Sequence, residues 1–109
     1  MTTVRIWKLQ TGQYKAFEFY GHAKYSRFGK DIVCAAISTL SFTAVSSIEK
    51  LCDDKMNVDS DEKDGLLRCV FEEPTSKEAT MLVDSMIIGL EQIHEQYGSK
   101  YIDIKFEEV

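Results

Sequence analysis

The spacing of apolar residues switches between two periods along this chain, and the order of the switches leaves few folds open. Where apolar side chains recur at every second position the backbone reads as a half-buried strand; where they recur three and four apart it reads as an amphipathic helix. Residues 4–9 carry Val4 and Ile6, then Trp7 and Leu9, and predict a first strand. Gln10, Thr11 and Gly12 turn the chain into a second, 14–20, with Phe17 and Phe19 on one face, so the two form a hairpin. A helix follows over 32–51, with the stripe Val33, Ile37, Leu40, Ala44, Ile48 and Leu51. Asp31 stands where a short carboxylate accepts from an unpaired amide of the first turn, and Lys50 suits the negative end of the helix dipole.

The second half repeats the order. Residues 56–58 predict a short strand, and 59–64 a solvated acidic loop. Asp64 and Gly65 turn into a strand over 66–71, where Leu67, Cys69 and Phe71 share a face. Pro74 precedes Thr75 and Glu78, which stand at capping-box spacing ahead of a helix with the stripe Ala79, Leu82, Val83, Met86, Leu90, Ile93 and Tyr97. Gly98 ends it, and a last strand over 101–106 buries Ile102, Ile104 and Phe106. The order β-β-α-β-β-α-β, with one apolar face per strand and one stripe per helix, predicts an α+β two-layer sandwich: a mixed, mostly antiparallel sheet with two helices packed on one face. No repeat or linker divides residues 1–109, which we read as a single domain.

Composition narrows the functional classes. Net charge is −5, and basic residues cluster only at Lys24, Arg27 and Lys30, which argues against a duplex nucleic-acid binder because phosphate neutralisation needs a basic surface. No run approaches the roughly 20 apolar residues of a bilayer span, and the first residues lack the apolar segment of a signal peptide, so the expectation is a cytoplasmic protein with no membrane partner. Cys34, Cys52 and Cys69 are odd in number and widely spaced, unlike a secreted disulfide framework. No C-x-x-C or H-x-x-x-H pair offers a zinc site, and no Walker or dinucleotide-binding glycine motif occurs.

Cys34 is the residue with chemical promise. With Asp31 as cap it is the third residue of the first helical turn, where unpaired amides favour a thiolate by about 0.3–1 kcal/mol, and by up to about 2 in sheltered geometry. An imidazolium about 4 Å away contributes roughly 4 kcal/mol at an effective dielectric of about 20, so a histidine matters more than the dipole. His22, at the tip of the second strand, can supply it if the connection folds back. The residue types alone also allow Cys34, beside Ala35 and Ala36, to be a small buried apolar residue, His22 a structural one, and Asp31 simply a cap rather than an orienting carboxylate. Ser38, one turn beyond Cys34, can hydrogen-bond near the site or bond its own backbone. Cys69 reads as core, Cys52 has no evident partner, and His94 suits a helix C-terminus.

Taken together, Gly21-His22-Ala23 and the run Gly29-Lys30-Asp31-Ile32-Val33-Cys34-Ala35-Ala36-Ile37-Ser38 resemble the signature of the bacterial ribosomal-processing cysteine proteases, with a likeness that extends over essentially the whole chain. The resemblance implies His22 and Cys34 as catalytic residues, Asp31 in a supporting role, and a mobile glycine-containing loop over 23–30, flanked by Gly21 and holding Ala23, Gly29 and Lys30. It implies cleavage, after an aromatic residue, of the N-terminal extension of large-subunit ribosomal protein twenty-seven, a homodimer, and no metal or organic cofactor. In that chemistry the amides at the helix start, Cys34's included, are expected oxyanion donors. The rival readings are a non-catalytic ribosome-assembly module that holds the same precursor peptide, and a redox sensor built on Cys34.

Overall fold

The structure is a computed structural model and describes residues 1–27 and 29–109. Along the chain run β1 (Thr2–Lys8), β2 (Tyr14–Tyr20), α1 (Ile32–Leu51), β3 (Met56–Asp61), β4 (Leu66–Phe71), α2 (Lys77–Tyr97) and β5 (Ile102–Glu108). Among the described residues the strands form one sheet in the order β3-β4-β2-β1-β5. β1 pairs antiparallel with β2, β2 with β4, and β4 with β3; β5 runs parallel to β1. The fold is therefore the expected α+β arrangement with a mixed, mostly antiparallel sheet. α2 carries the chain from β4 over β2 and β1 to β5, the long crossover that a connection between strands of the same direction requires.

One face of the sheet is the floor of the core. Val4, Ile6, Phe17, Phe19, Leu67, Cys69, Phe71 and Ile102 are buried there against Val33, Ile37, Ala44 and Ile48 of α1 and Ala79, Val83, Met86 and Leu90 of α2. Each fully buried Val, Leu, Ile, Phe or Met side chain in that set stabilises the fold by about 1.5–3 kcal/mol. The opposite face carries Arg5, Tyr20 and Arg68 in the alternate positions, exposed to solvent. A bulge between Trp7 and Lys8 makes Lys15 the extra residue of β2. It shifts the alternation by one position, so that Tyr14 joins Phe17 and Phe19 on the buried side.

Several sequence expectations are corrected. β1 begins at Thr2, because Thr2 and Thr3 pair with Ile102 and Asp103 of β5, and it ends before Leu9. β3 runs on through Asp59, Ser60 and Asp61, which had read as loop. It is an edge strand with little burial, and acidic side chains on such an edge discourage pairing with another chain. α2 is capped by Ser76 rather than Thr75: the Ser76 hydroxyl accepts from the Ala79 amide at 3.1 Å. Thr75 is fully buried, and its hydroxyl accepts from the Tyr14 amide at 2.9 Å. Leu51 and Phe106, expected in the core, are 73% and 51% exposed: Leu51 is the last residue of α1, and Phe106 lies on β5 at the edge of the sheet. Ser41, Val45 and Ile87 are buried without having been in the expected stripes. α1 is also longer in its apolar run than expected: mean hydropathy reaches 1.6 over an 18-residue window, enough by length and composition to cross a bilayer. In this fold its apolar stripe is spent on the sheet.

Candidate active site

Asp31 organises the start of α1. Its backbone is extended, at φ −86° and ψ 102°, and its Oδ1 accepts from the Cys34 amide at 2.9 Å. Its Oδ2 accepts from the amides of Tyr25 (2.8 Å) and Ser26 (3.2 Å), so one carboxylate fixes both the helix start and the preceding loop. Partial burial pushes this carboxyl up, but the amides of Cys34, Ser26, Tyr25 and Val33 outweigh it and hold Asp31 below the ordinary carboxylate value. The Cys34 amide is thus committed to the cap, which corrects the expectation that it is free to serve as an oxyanion donor.

His22 follows Gly21 at the tip of β2, and the loop does fold back. The Cys34 Sγ and His22 Nδ1 lie 3.8 Å apart. On the far side of the ring, Nε2 is 3.1 Å from the Lys63 carbonyl oxygen in the β3–β4 turn. The backbone around His22 is tightly held. The Gly21 amide donates to the Asp64 carbonyl at 3.1 Å, and the Gly21 carbonyl accepts from the Thr2 hydroxyl at 3.0 Å. A Cβ on Gly21 would stand 2.6 Å from the Met1 carbonyl oxygen, and its φ of +88° is a further reason for glycine there.

The remaining expected loop positions divide. Ala23 is buried in the core and Gly21 is pinned as described, whereas Gly29 and Lys30 are exposed. Gly29 has φ +84° with open space where a Cβ would point. Phe28, inside the expected mobile stretch, lies outside the described residues. Tyr25 anchors the near half of the loop: its ring meets Tyr97 and Tyr101 edge-on at centroid distances of 5.4 and 5.2 Å. Neither this aromatic clasp nor the role of the Lys63 carbonyl is legible in the sequence; a repeated tyrosine carries no signal of which partner it finds.

Cavities open on both sides of Cys34. One, of about 400 Å³, has an apolar floor of Phe19, Ile37, Phe42, Leu66 and Leu67 under a rim that includes Asp61 and Glu62. The other, of about 450 Å³, lies beneath the loop and reaches Lys24, Ser26 and Ala35. His22, Cys34 and Ser38 line both, so the thiol stands in the middle of a groove with Ser38 beside it. The other cysteines are placed differently. Burial, reinforced by Glu49, pushes the Cys69 thiol up to about 12, and Sγ rests 3.3 Å from the Met56 sulfur. Cys52 is also pushed up, by partial burial and then by the carboxylates of Asp54, Glu78 and Asp53. Both environments disfavour a thiolate.

A thiol and an imidazole facing each other at the base of an open groove, on a helix start, form an arrangement suited to thiol-dependent hydrolysis. Comparison with known proteins gives the class. The profile of the family described as cysteine protease Prp matches residues 1–103. The chain is 29% identical over 98 residues to the ribosomal processing cysteine protease Prp of Staphylococcus aureus, covering 90% of this chain and 92% of that one. It is 33% identical over 86 residues to the protein of the same name from Bacillus subtilis, covering 75% and 77%. The crystal structure of the Staphylococcus aureus protease in complex with a covalently linked product peptide superposes with a TM-score of 0.92 at 27% identity, over 98% of this chain and 100% of that one. The same protease in complex with a substrate peptide gives a TM-score of 0.86 at 26% identity, again over 98% and 100%. The protein is a cysteine protease. It belongs to the Prp family.

Proposed function

We propose that this protease matures the ribosome by removing the N-terminal extension of large-subunit ribosomal protein twenty-seven, with Cys34 as nucleophile and His22 as base and then acid. The observation that carries the reading is the 3.8 Å approach of Sγ to Nδ1 at the centre of a groove open on both sides. Nδ1 takes the thiol proton as Sγ attacks the scissile carbonyl carbon. The C–N bond then breaks, the new amine leaves with the proton carried by His22, and the N-terminal fragment remains as a thioester on Cys34. Water, deprotonated by the same imidazole, hydrolyses that thioester and restores the thiol. Ser38, beside the thiol on both sides of the groove, hydrogen-bonds the bound peptide. Asp31 acts through Cys34, whose amide it holds.

The groove supports the substrate preference that the family resemblance implies. The cavity floored by Phe19, Ile37, Phe42, Leu66 and Leu67 suits the aromatic side chain before the cut. Gly29, exposed and lining the cavity beside Asp31, supports a role of this connection in admitting peptide, and the names of the relatives support a ribosomal precursor as the partner. We place the enzyme in the cytoplasm, where its precursor is made, as a homodimer joined through the side of α1 that carries Thr39, Thr43 and Ser46, away from the groove, on a helix with no charge between Asp31 and Glu49. The test is mass spectrometry of a synthetic precursor peptide after incubation with wild type and Cys34→Ala. Wild type yields two fragments and the variant none; intact peptide that stays bound to wild type would instead favour a binding module.

A further inference from the structure

We propose that the β3–β4 turn is a positioning element of the active centre: the Lys63 carbonyl selects one tautomer of His22, and Gly65 is glycine because the turn must lie against that ring. The inference rests on His22 being the base in the proposed mechanism, and it adds a part that no side-chain motif carries.

A neutral imidazole has one N–H and one lone pair, and the hydrogen bond at one nitrogen decides the role of the other. The Lys63 oxygen, 3.1 Å from Nε2, can only accept. Nε2 therefore carries the hydrogen, and Nδ1 presents its lone pair to Cys34 Sγ, 3.8 Å away. In the opposite tautomer two lone pairs face each other at Nε2, and the thiol meets an N–H that cannot take its proton. Once Nδ1 has accepted the proton, the Nε2–H···O bond persists with a charged donor, which strengthens it. A backbone carbonyl here does the orienting work that a carboxylate does in a catalytic triad.

The turn is built to hold that carbonyl in place. The Lys63 amide donates to Asp61 Oδ1 at 3.0 Å, and the Gly65 amide to the Glu62 carbonyl at 3.2 Å. The Asp64 carbonyl accepts from the Gly21 amide, the residue before His22, at 3.1 Å. Turn and histidine are thus fastened to each other by two hydrogen bonds on adjacent residues. Gly65 has φ +62°, and a Cβ there would meet the Gly21 carbonyl oxygen at 2.6 Å, its carbon at 2.8 Å and His22 Cε1 at 3.2 Å. Backbone atoms do not yield cheaply, so a methyl group would lift the turn and tilt the ring together.

The test reads the tautomer first and the rate second. In Cys34→Ala protein, at a pH where the ring is neutral, nitrogen-15 spectra of His22 are expected to show only the Nε2–H tautomer. Adding Gly65→Ala is expected to bring back the mixture of a free imidazole. In the otherwise wild-type enzyme, Gly65→Ala is expected to lower kcat for the precursor peptide by about 10- to 100-fold, with KM changed less than about two-fold, as for a misplaced rather than missing group. A free-imidazole mixture or the Nδ1–H form in the Cys34→Ala protein overturns the proposal, as does a folded Gly65→Ala enzyme with wild-type kcat. Should Gly65→Ala fail to fold, the Cys34→Ala spectrum alone decides. That spectrum needs no turnover, so a wild type that does not cut the peptide would sink the proposed function and leave this inference to be judged by its own readout.

Discussion

Asp31 shows how much one short side chain can fix. It accepts from Cys34, Tyr25 and Ser26 amides at once, setting the helix start, the thiol above it and the loop beside it. Asp31→Ala is expected to cost about 0.5–2 kcal/mol, the range for loss of an N-cap, measured by urea denaturation. The pH dependence has a definite sign. A carboxyl held below its ordinary value in the folded state stabilises fully above the unfolded value, and that contribution is lost as pH falls through the folded one. The stability gap between wild type and Asp31→Asn should therefore be widest near neutrality and close in acid. The local signals of a cap, a first helical turn and a histidine at a strand tip left Cys34 and His22 open to buried and structural readings, and the family resemblance chose the catalytic pair. As candidates, Asp31, Cys34 and His22 were all legible in the sequence. The Lys63 carbonyl was not. Every residue but proline has an equivalent carbonyl and amide, and only the tertiary path of the β3–β4 turn gives this one a purpose.

At the level of elements, the junction between β2 and α2 carries a buried polar contact that the pattern of apolar residues could not reveal. Thr75 is fully buried; its hydroxyl accepts from the Tyr14 amide and lies 2.7 Å from the Thr80 hydroxyl. The Tyr14 hydroxyl in turn donates to Asp84 of α2, and burial, then that bond and the charges of Asp84 and Glu91, push the tyrosine well above its ordinary value. Thr75→Val keeps the shape and strands the Tyr14 amide, so it should destabilise the fold by about 1–3 kcal/mol in urea denaturation while leaving peptide cleavage intact. The sequence pointed to Thr75 as the cap because Glu78 stands three residues on; Ser76 serves instead, since the Thr75 hydroxyl is drawn inward. The helix bounds of α1 were legible to the residue, because an aspartate before a long apolar stripe admits few alternatives. The length of β3 was not, because an edge strand with water on its outer side tolerates Asp59, Ser60 and Asp61 and looks like loop.

For the molecule as a whole, layer order followed from the alternation of periods, and the position of the groove did not. It arises where the start of α1 and the tip of β2 meet the β3–β4 turn, which lies far from both in sequence. Thr43 is exposed on α1, a helix with no charge from Ile32 to Ile48, and a homodimer through this side predicts that Thr43→Glu sediments as a monomer with an unchanged circular-dichroism spectrum; a monomeric wild type would contradict it. The central claim, a thiol that gives its proton to the neighbouring imidazole as it attacks and is acylated by substrate, is tested most directly by intact-protein mass spectrometry of rapidly quenched mixtures with precursor peptide. The expected result is a transient mass increase equal to the N-terminal fragment, located on Cys34, absent from Cys34→Ala and greatly slowed in His22→Ala. Cleavage of the peptide by Cys34→Ala at the wild-type rate would contradict it.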